Sequence, residues 1–168
     1  MNHRDTQEDI WVLPLGEEAG PVLVTGFREH SPMFSPDGRW LAYVSDESGR
    51  EEVYVRRFPD EGPKSAVSTL GGREPMWSRN GRTLFFRSPD GTEMWSVAVE
   101  LEPTFRAAKP EQVFARHFYT DWNRQQTYDV SPDGQRFLMV EEIEGSAQSQ
   151  AVIVLNWMEE LKRLVPVE

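Results

Sequence analysis

The tetrapeptide Ser-Pro-Asp-Gly occurs three times in this 168-residue chain, at Ser35–Gly38, Ser88–Gly91 and Ser131–Gly134. Recurrence of one turn sequence constrains the fold more than any other feature, because repeats of about 40–50 residues belong to propellers and solenoids. The flanks set the register. Met33-Phe34 precedes the first copy and Trp40-Leu41-Ala42-Tyr43-Val44 follows it. Tyr128-Asp129-Val130 and Phe137-Leu138-Met139-Val140 flank the third in the same way. The copy at Ser88 breaks this frame. The equivalent turn of the middle repeat is Ser78-Arg79-Asn80-Gly81, between Met76-Trp77 and Leu84-Phe85-Phe86. The repeats therefore start at Ser35, Ser78 and Ser131, and Ser88–Gly91 is a different turn inside the second.

Turn chemistry explains the motif. Proline presets φ, Asp or Asn tolerates the bridge and left-handed regions, and glycine supplies φ > 0. With β-prone apolar runs on both sides, each copy predicts a hairpin. A third run follows each hairpin: Glu52–Phe58, Met94–Val99 and Ala151–Trp157. The turns leading to them are Asp46–Gly49, Ser88–Gly91 and a looser Glu144-Gly145-Ser146. A weaker fourth run follows in two repeats, Ser65–Leu70 and Gln112–Arg116. Three or four short strands per repeat make one propeller blade. Ahead of the first hairpin, Asp9–Leu15 matches a third strand and Pro21–Thr25 a fourth. At the other end, Trp157–Leu164 reads as a short amphipathic helix, with Trp157, Leu161 and Leu164 on one face and Pro166 ending it.

Burial patterning favours stacked sheets. Trp40, Ala42 and Val44 point one way along their strand and Leu41 and Tyr43 the other, so both faces are apolar. Leu84–Phe86 and Phe137–Val140 behave alike. A sheet covered on both faces suits a blade between neighbours. A β-sandwich of the same strands is the competing architecture, but it has no need of the repeat. The expected fold is all-β: a partial β-propeller of about three and a half blades of four-stranded antiparallel sheets. Its divisions are a polar leader at 1–8, a half blade at 9–30, blades at 31–72, 73–118 and 119–156, and the helix at 157–165.

Composition bounds the function. The net charge of −10 disfavours nucleic acid as a partner. No apolar run reaches the ~18 residues of a membrane span, and Met1–Asp5 is polar and unlike a secretory signal. With no cysteine, disulfides and thiolate metal sites are excluded. Catalytic motifs fail one by one. His3-Arg4-Asp5 copies the kinase catalytic-loop triplet, but Ile10 stands where a metal-binding Asn belongs. There is no Gly-x-Ser-x-Gly elbow, P-loop or Gly-x-Gly-x-x-Gly, and His3, His30 and His117 lack metal-ligand spacing. His30, just before a strand, reads as a loop hydrogen-bonder. The acidic pairs Asp46/Glu47, Glu51/Glu52 and Glu141/Glu142 sit side by side, which on a strand turns them to opposite faces. No catalytic, cofactor-binding or metal-binding residue is assigned and no cofactor is expected. Trp11, Trp77 and Trp95 fall at repeat positions and read as core. The candidate partner contacts are His117, Tyr119, Asp121, Trp122 and Arg124, an aromatic and charged cluster between two repeats; a packed inter-blade loop is its structural alternative.

The segment from Phe34 through Ser35-Pro36-Asp37-Gly38 to Val53-Tyr54-Val55 resembles the repeat of TolB-type, WD40-like propellers. Asp9–Leu15, Glu74–Ser78 with Leu84–Phe86, and the ending Val154–Lys162 are more narrowly similar to the propeller region C-terminal to the kinase domain of certain bacterial serine/threonine kinases. The resemblance implies a non-catalytic interaction or sensor module that binds protein or peptide, on the periplasmic side if a membrane-anchored kinase carries it. No kinase residue carries over, because no kinase domain is present. Propellers typically close with 4–8 blades, so a piece of a longer protein, self-associating through open blade edges, is expected. Two alternatives remain: the propeller half of a prolyl-oligopeptidase-type peptidase, and a propeller enzyme acting on small molecules or glycans.

Overall fold

The computed structural model describes residues 8–60, 62–120, 125–141 and 150–154. Within them the chain is all-β, in four antiparallel sheets that follow one another along the sequence. The first pairs β1 (Ile10–Val12) with β2 (Gly20–Leu23). The second runs β3 (Glu29–Phe34), β4 (Trp40–Ser45), β5 (Glu52–Arg57), β6 (Lys64–Ala66). The third runs β7 (Arg73–Trp77), β8 (Thr83–Arg87), β9 (Glu93–Glu100), and the outer edge of β9 pairs with both β10 (Arg106–Ala107) and β11 (Glu111–Ala115). The fourth has β12 (Tyr128–Val130), β13 (Phe137–Glu141) and β14 (Gln150–Val154). Sequential up-and-down sheets stacked face to face are the blades of a β-propeller. The expected helix at 157–165 lies outside the described residues.

Three apolar clusters fill the three gaps between sheets, and the period-2 alternation of each strand assigns its residues to them. Ile10 and Leu23 meet Leu41, Tyr43 and Tyr54 in the first gap. Trp40, Ala42 and Val44 meet Trp77, Leu84, Phe86 and Val97 in the second. Phe85 and Met94 meet Tyr128, Phe137 and Met139 in the third. The inner strands also touch: Trp77 Nε1 donates to the Met33 carbonyl at 3.1 Å, and Tyr128 Oη to that of Glu74 at 2.8 Å.

Two burial expectations need correction. Leu138 on β13 is 45% exposed and Trp11 on β1 is 49% exposed. Each lies on the outward face of a terminal sheet, where no described sheet covers it. A third correction concerns His30. It lies within β3 rather than before it, and its ring nitrogens meet Ser31 Oγ at 3.0 Å and Glu51 Oε1 at 3.2 Å.

All four turn sequences share one geometry. Asp37, Asn80, Asp90 and Asp133 each accept, at one side-chain oxygen, the hydroxyl proton of the turn serine at 2.5–2.8 Å and a backbone N–H two residues on at 3.0–3.1 Å. The serine oxygen accepts the N–H five residues on, at 2.9–3.0 Å. The fourth residue is glycine with φ between 70° and 72°. Ser88–Gly91 therefore differs from the others in its place within the blade, joining β8 to β9, and not in its chemistry.

Candidate binding surface

The two ends of the sheets are unlike. One carries the serine turns after β3, β7 and β12. The other carries the β4–β5 and β8–β9 turns together with the three crossings from sheet to sheet, residues 24–28, 67–72, and 116–120 with 125–127. At this second end one strand per sheet must leave its ladder, and buried charges take over the backbone's hydrogen bonding.

Each crossing is tied by one such charge. In the first, Glu29 (3% exposed) accepts from Thr25 Oγ1 at 2.6 Å and Ser45 Oγ at 3.3 Å. Burial pushes its carboxyl above the usual range, opposed by these two hydroxyls and reinforced by Asp9 and Asp46. In the second, Glu52 accepts from the Gly71 N–H at 2.9 Å, from Arg50 Nε at 2.7 Å and from Ser68 Oγ, which itself accepts the Val53 N–H at 2.8 Å.

The third crossing is held by Arg87, 1% exposed at the end of β8. Its Nη1 donates to the Tyr119 carbonyl at 2.8 Å and to Thr127 Oγ1 at 2.7 Å; its Nη2 donates to the carbonyls of Gly91 and of Phe118, the latter at 3.2 Å. Thr127 passes the interaction on, donating Oγ1–H to Glu74 Oε2 at 2.6 Å while its N–H reaches the same oxygen at 3.0 Å. Glu74 is 1% exposed, with Arg73 Nε at 3.3 Å and Arg87 Nη1 at 3.9 Å from its other oxygen. Burial lowers Arg87 from its ordinary value, with Glu74 opposing, and raises the Tyr128 phenol well above its own. Glu74 and Ser31 hold equivalent positions in β7 and β3, before Pro75 and Pro32, and share positive φ of 53° and 51° where both strands slip register.

Around this framework lie the surface groups. His117 and Tyr119 are exposed on the third crossing, while Phe118 between them is buried against Phe114. The alternation is enforced: Tyr119 N–H donates to the Val140 carbonyl at 2.8 Å and its own carbonyl goes to Arg87. Asp121, Trp122 and Arg124, the remaining expected contacts, lie outside the described residues. The acidic pairs of the β4–β5 turn split: Asp46 pairs with Arg28 at 2.8 Å and Glu47 with Lys64, whereas Glu51 faces His30 and Glu52 faces inward. Among the described residues no cluster of three or more His, Asp or Glu is placed to hold a metal ion, and no helix is long and apolar enough to cross a membrane.

Two features of this end were missed in the sequence. The Glu74–Arg87 network has no local signature. The second is a cleft of about 440 Å³ between the second and third sheets, walled by Phe86 and Trp95 with Leu70 and Pro89 at its mouth. Trp95 read as core because it sits at a repeat position. It is half-buried, one side on the apolar cluster and one on the cleft.

Stacked antiparallel sheets, of two to five strands each, with inner strands in contact define a propeller segment. Comparison with known proteins agrees. The chain superposes on a protein assigned as TolB from Agrobacterium tumefaciens with a TM-score of 0.57 and 20% identity, over 83% of this chain and 48% of that one. It superposes on oligogalacturonate lyase from Vibrio parahaemolyticus with a TM-score of 0.58 and 15% identity, over 90% and 42%. The fold is thus a TolB-like β-propeller segment, spanning about half of these structures. No family model matches the chain. Over 87 residues, 46% of its length, it is 30% identical to dipeptidyl-peptidase 5 of Trichophyton schoenleinii and of Arthroderma benhamiae. The match covers 12% of those relatives' length.

Proposed function

We propose that this chain is a non-catalytic interaction or sensor module, part of a larger bacterial protein such as a serine/threonine kinase, and that it binds protein or peptide at the end bearing the three crossings. One observation carries the reading. Most of the buried or half-buried charge at that end is spent on the framework: Arg28 on Asp46, His30 on Glu51, Arg50 on Glu52, and Arg87 on Glu74 and three carbonyls. Exposed Tyr119 and Leu70, at 40% and 79%, stand beside them. Rigid charge-tied loops presenting aromatic and aliphatic side chains are what a docking surface needs.

A second reading has its own support. The 30% identity to dipeptidyl-peptidase 5 favours the propeller portion of a peptidase, with the hydrolytic machinery on another part of the polypeptide. One experiment separates them. Antibody raised against this chain is used to isolate the endogenous polypeptide, which is then mapped by mass spectrometry. Kinase-domain peptides in the same polypeptide are the expected result; α/β-hydrolase peptides instead would establish the peptidase reading.

A further inference from the structure

The cleft between the second and third sheets exists because β6 is short. It pairs with β5 only over Lys64–Ala66, after which Val67 N–H turns to the Val53 carbonyl at 2.8 Å and the chain crosses inward. On the facing sheet β9 and β11 continue, leaving Trp95 and its cross-strand partner Gln112 beyond the cover of β6.

The walls of the cleft are fixed. Gly71 has φ +93°, and a Cβ there would lie 2.2 Å from Pro89 Cγ, so the crossing nests directly against the β8–β9 turn. The indole is pinned too. Trp95 Nε1–H donates to Glu93 Oε2 at 3.1 Å, and Gln112 Nε2 donates to Glu93 Oε1 at 2.8 Å. An aromatic wall whose polar atom is already engaged offers its ring to a ligand at little ordering cost.

The charge of the cleft has one sign. Its lining includes Asp90 and Glu93 and no basic side chain. Asp90 collects the Ser88 hydroxyl at 2.6 Å and Thr92 N–H at 3.1 Å on one oxygen, contacts that hold its carboxyl below the usual range and keep it ionised. Two guanidinium groups border the lining and both are committed: that of Arg50 to Glu52 and to the Thr69 carbonyl at 2.6 Å, and that of Arg87 to the carbonyls of Gly91, Phe118 and Tyr119. Apolar walls of Leu70, Phe86, Pro89 and Trp95 under two carboxylates complement an apolar group with an adjacent cation.

Resting on the interaction-module reading above, we propose that this cleft is the specificity pocket of the surface, and that it takes an apolar side chain of a partner peptide flanked by lysine or arginine. The cation lies between Asp90 and Glu93, and the apolar side chain lies against Trp95 and Leu70.

The test uses the full chain. A random-peptide phage library is panned on it, and synthetic hexapeptides are prepared from the enriched sequences, with every Lys and Arg replaced by Glu in a control set. Binding is followed by 1H–15N shifts, reading the Trp95 indole N–H and the Leu70, Asp90 and Tyr119 amides. Enriched peptides pair Leu or Phe with Lys or Arg, shift the Trp95 indole saturably and weaken with salt. Asp90→Asn weakens them about 5-fold, the scale of a partly exposed ion pair. Trp95→Ala weakens them at least ~10-fold, as loss of a buried aromatic anchor does. Because Trp95→Ala also touches the core, Leu70→Ser, at an exposed position, is the companion variant and must weaken binding while leaving thermal unfolding unchanged. Peptides that shift Tyr119 and not Trp95, or Glu controls that bind equally, overturn the cleft assignment and leave the interaction module standing. A library that yields no binder overturns both.

Discussion

Replacing Arg87 by methionine tests whether the framework of the loop-bearing end is held as described. The substitution keeps an unbranched apolar stem, shorter than that of arginine, and removes the guanidinium and its charge. It strands the Glu74 carboxylate, 1% exposed, with Arg73 as its remaining cation. It also removes the donor from the carbonyls of Gly91, Phe118 and Tyr119. Breaking a buried charge pair by deleting one partner costs about 3–5 kcal/mol, and each stranded acceptor costs about 1–3 kcal/mol, not additively. With Arg73 sharing Glu74 and the backbone free to relax, the expected loss is about 4 kcal/mol. That is a large part of the ~5–15 kcal/mol available to a domain. Urea unfolding followed by circular dichroism measures it. Glu74→Gln completes a cycle: the double variant should be less destabilised than the sum of the singles by about 1–3 kcal/mol, since the two side chains share Thr127. An Arg87→Met protein within about 1 kcal/mol of the parent, or strictly additive singles, would refute the reasoning.

Other predictions follow from the same structure. Gly91→Ala destabilises more than Gly134→Ala in thermal unfolding: both have φ near +71°, but a Cβ at Gly91 lies 2.1 Å from Thr120 Oγ1 while that at Gly134 meets nothing within 4 Å. Asp37, Asp90 and Asp133 sit below the usual carboxyl range, each chiefly through its turn serine, so their stabilisation is present above the unfolded Asp value and is lost as pH falls through their lowered values. Glu29 has the opposite sign. Its carboxyl is raised by burial, so its contribution is present below the unfolded Glu value and lost as pH rises through the folded one. Glu29→Gln should therefore raise stability at pH 7, by up to about 1 kcal/mol, and give no gain near pH 3; equal effects at both pH values would contradict this. With Trp11 and Leu138 about half exposed on opposite terminal sheets, the isolated chain should self-associate in light scattering, and a stable monomer at high concentration would count against open blade faces.

The blade register was legible because it is written in local chemistry. Ser35, Ser78 and Ser131 each need proline or a polar residue, then Asp or Asn, then glycine, and the alternating flanks show which face each strand residue takes. What lay beyond it was long-range. Period-2 patterning puts Leu138 and Trp11 on the faces opposite Phe137 and Ile10, but does not say whether another sheet covers those faces. Arg87 ends an apolar strand with nothing local to mark it as buried, since two of the three carbonyls it serves are 31 and 32 residues away in sequence. Of the expected contacts, His117 and Tyr119 do lie on the loop-bearing end. The cleft beside Trp95 depends on where β6 stops, and nothing in Ser65–Leu70 marks Ala66 as its last paired residue.

Hydrogen exchange on the full chain, with and without a peptide selected for binding to it, tests the central claim most directly. If the crossings form the binding surface, protection rises at residues 67–72, 88–92 and 117–120. It stays unchanged in the serine turns at 35–39, 78–82 and 131–135. Protection confined to those turns would place the surface at the opposite end of the propeller and contradict the account.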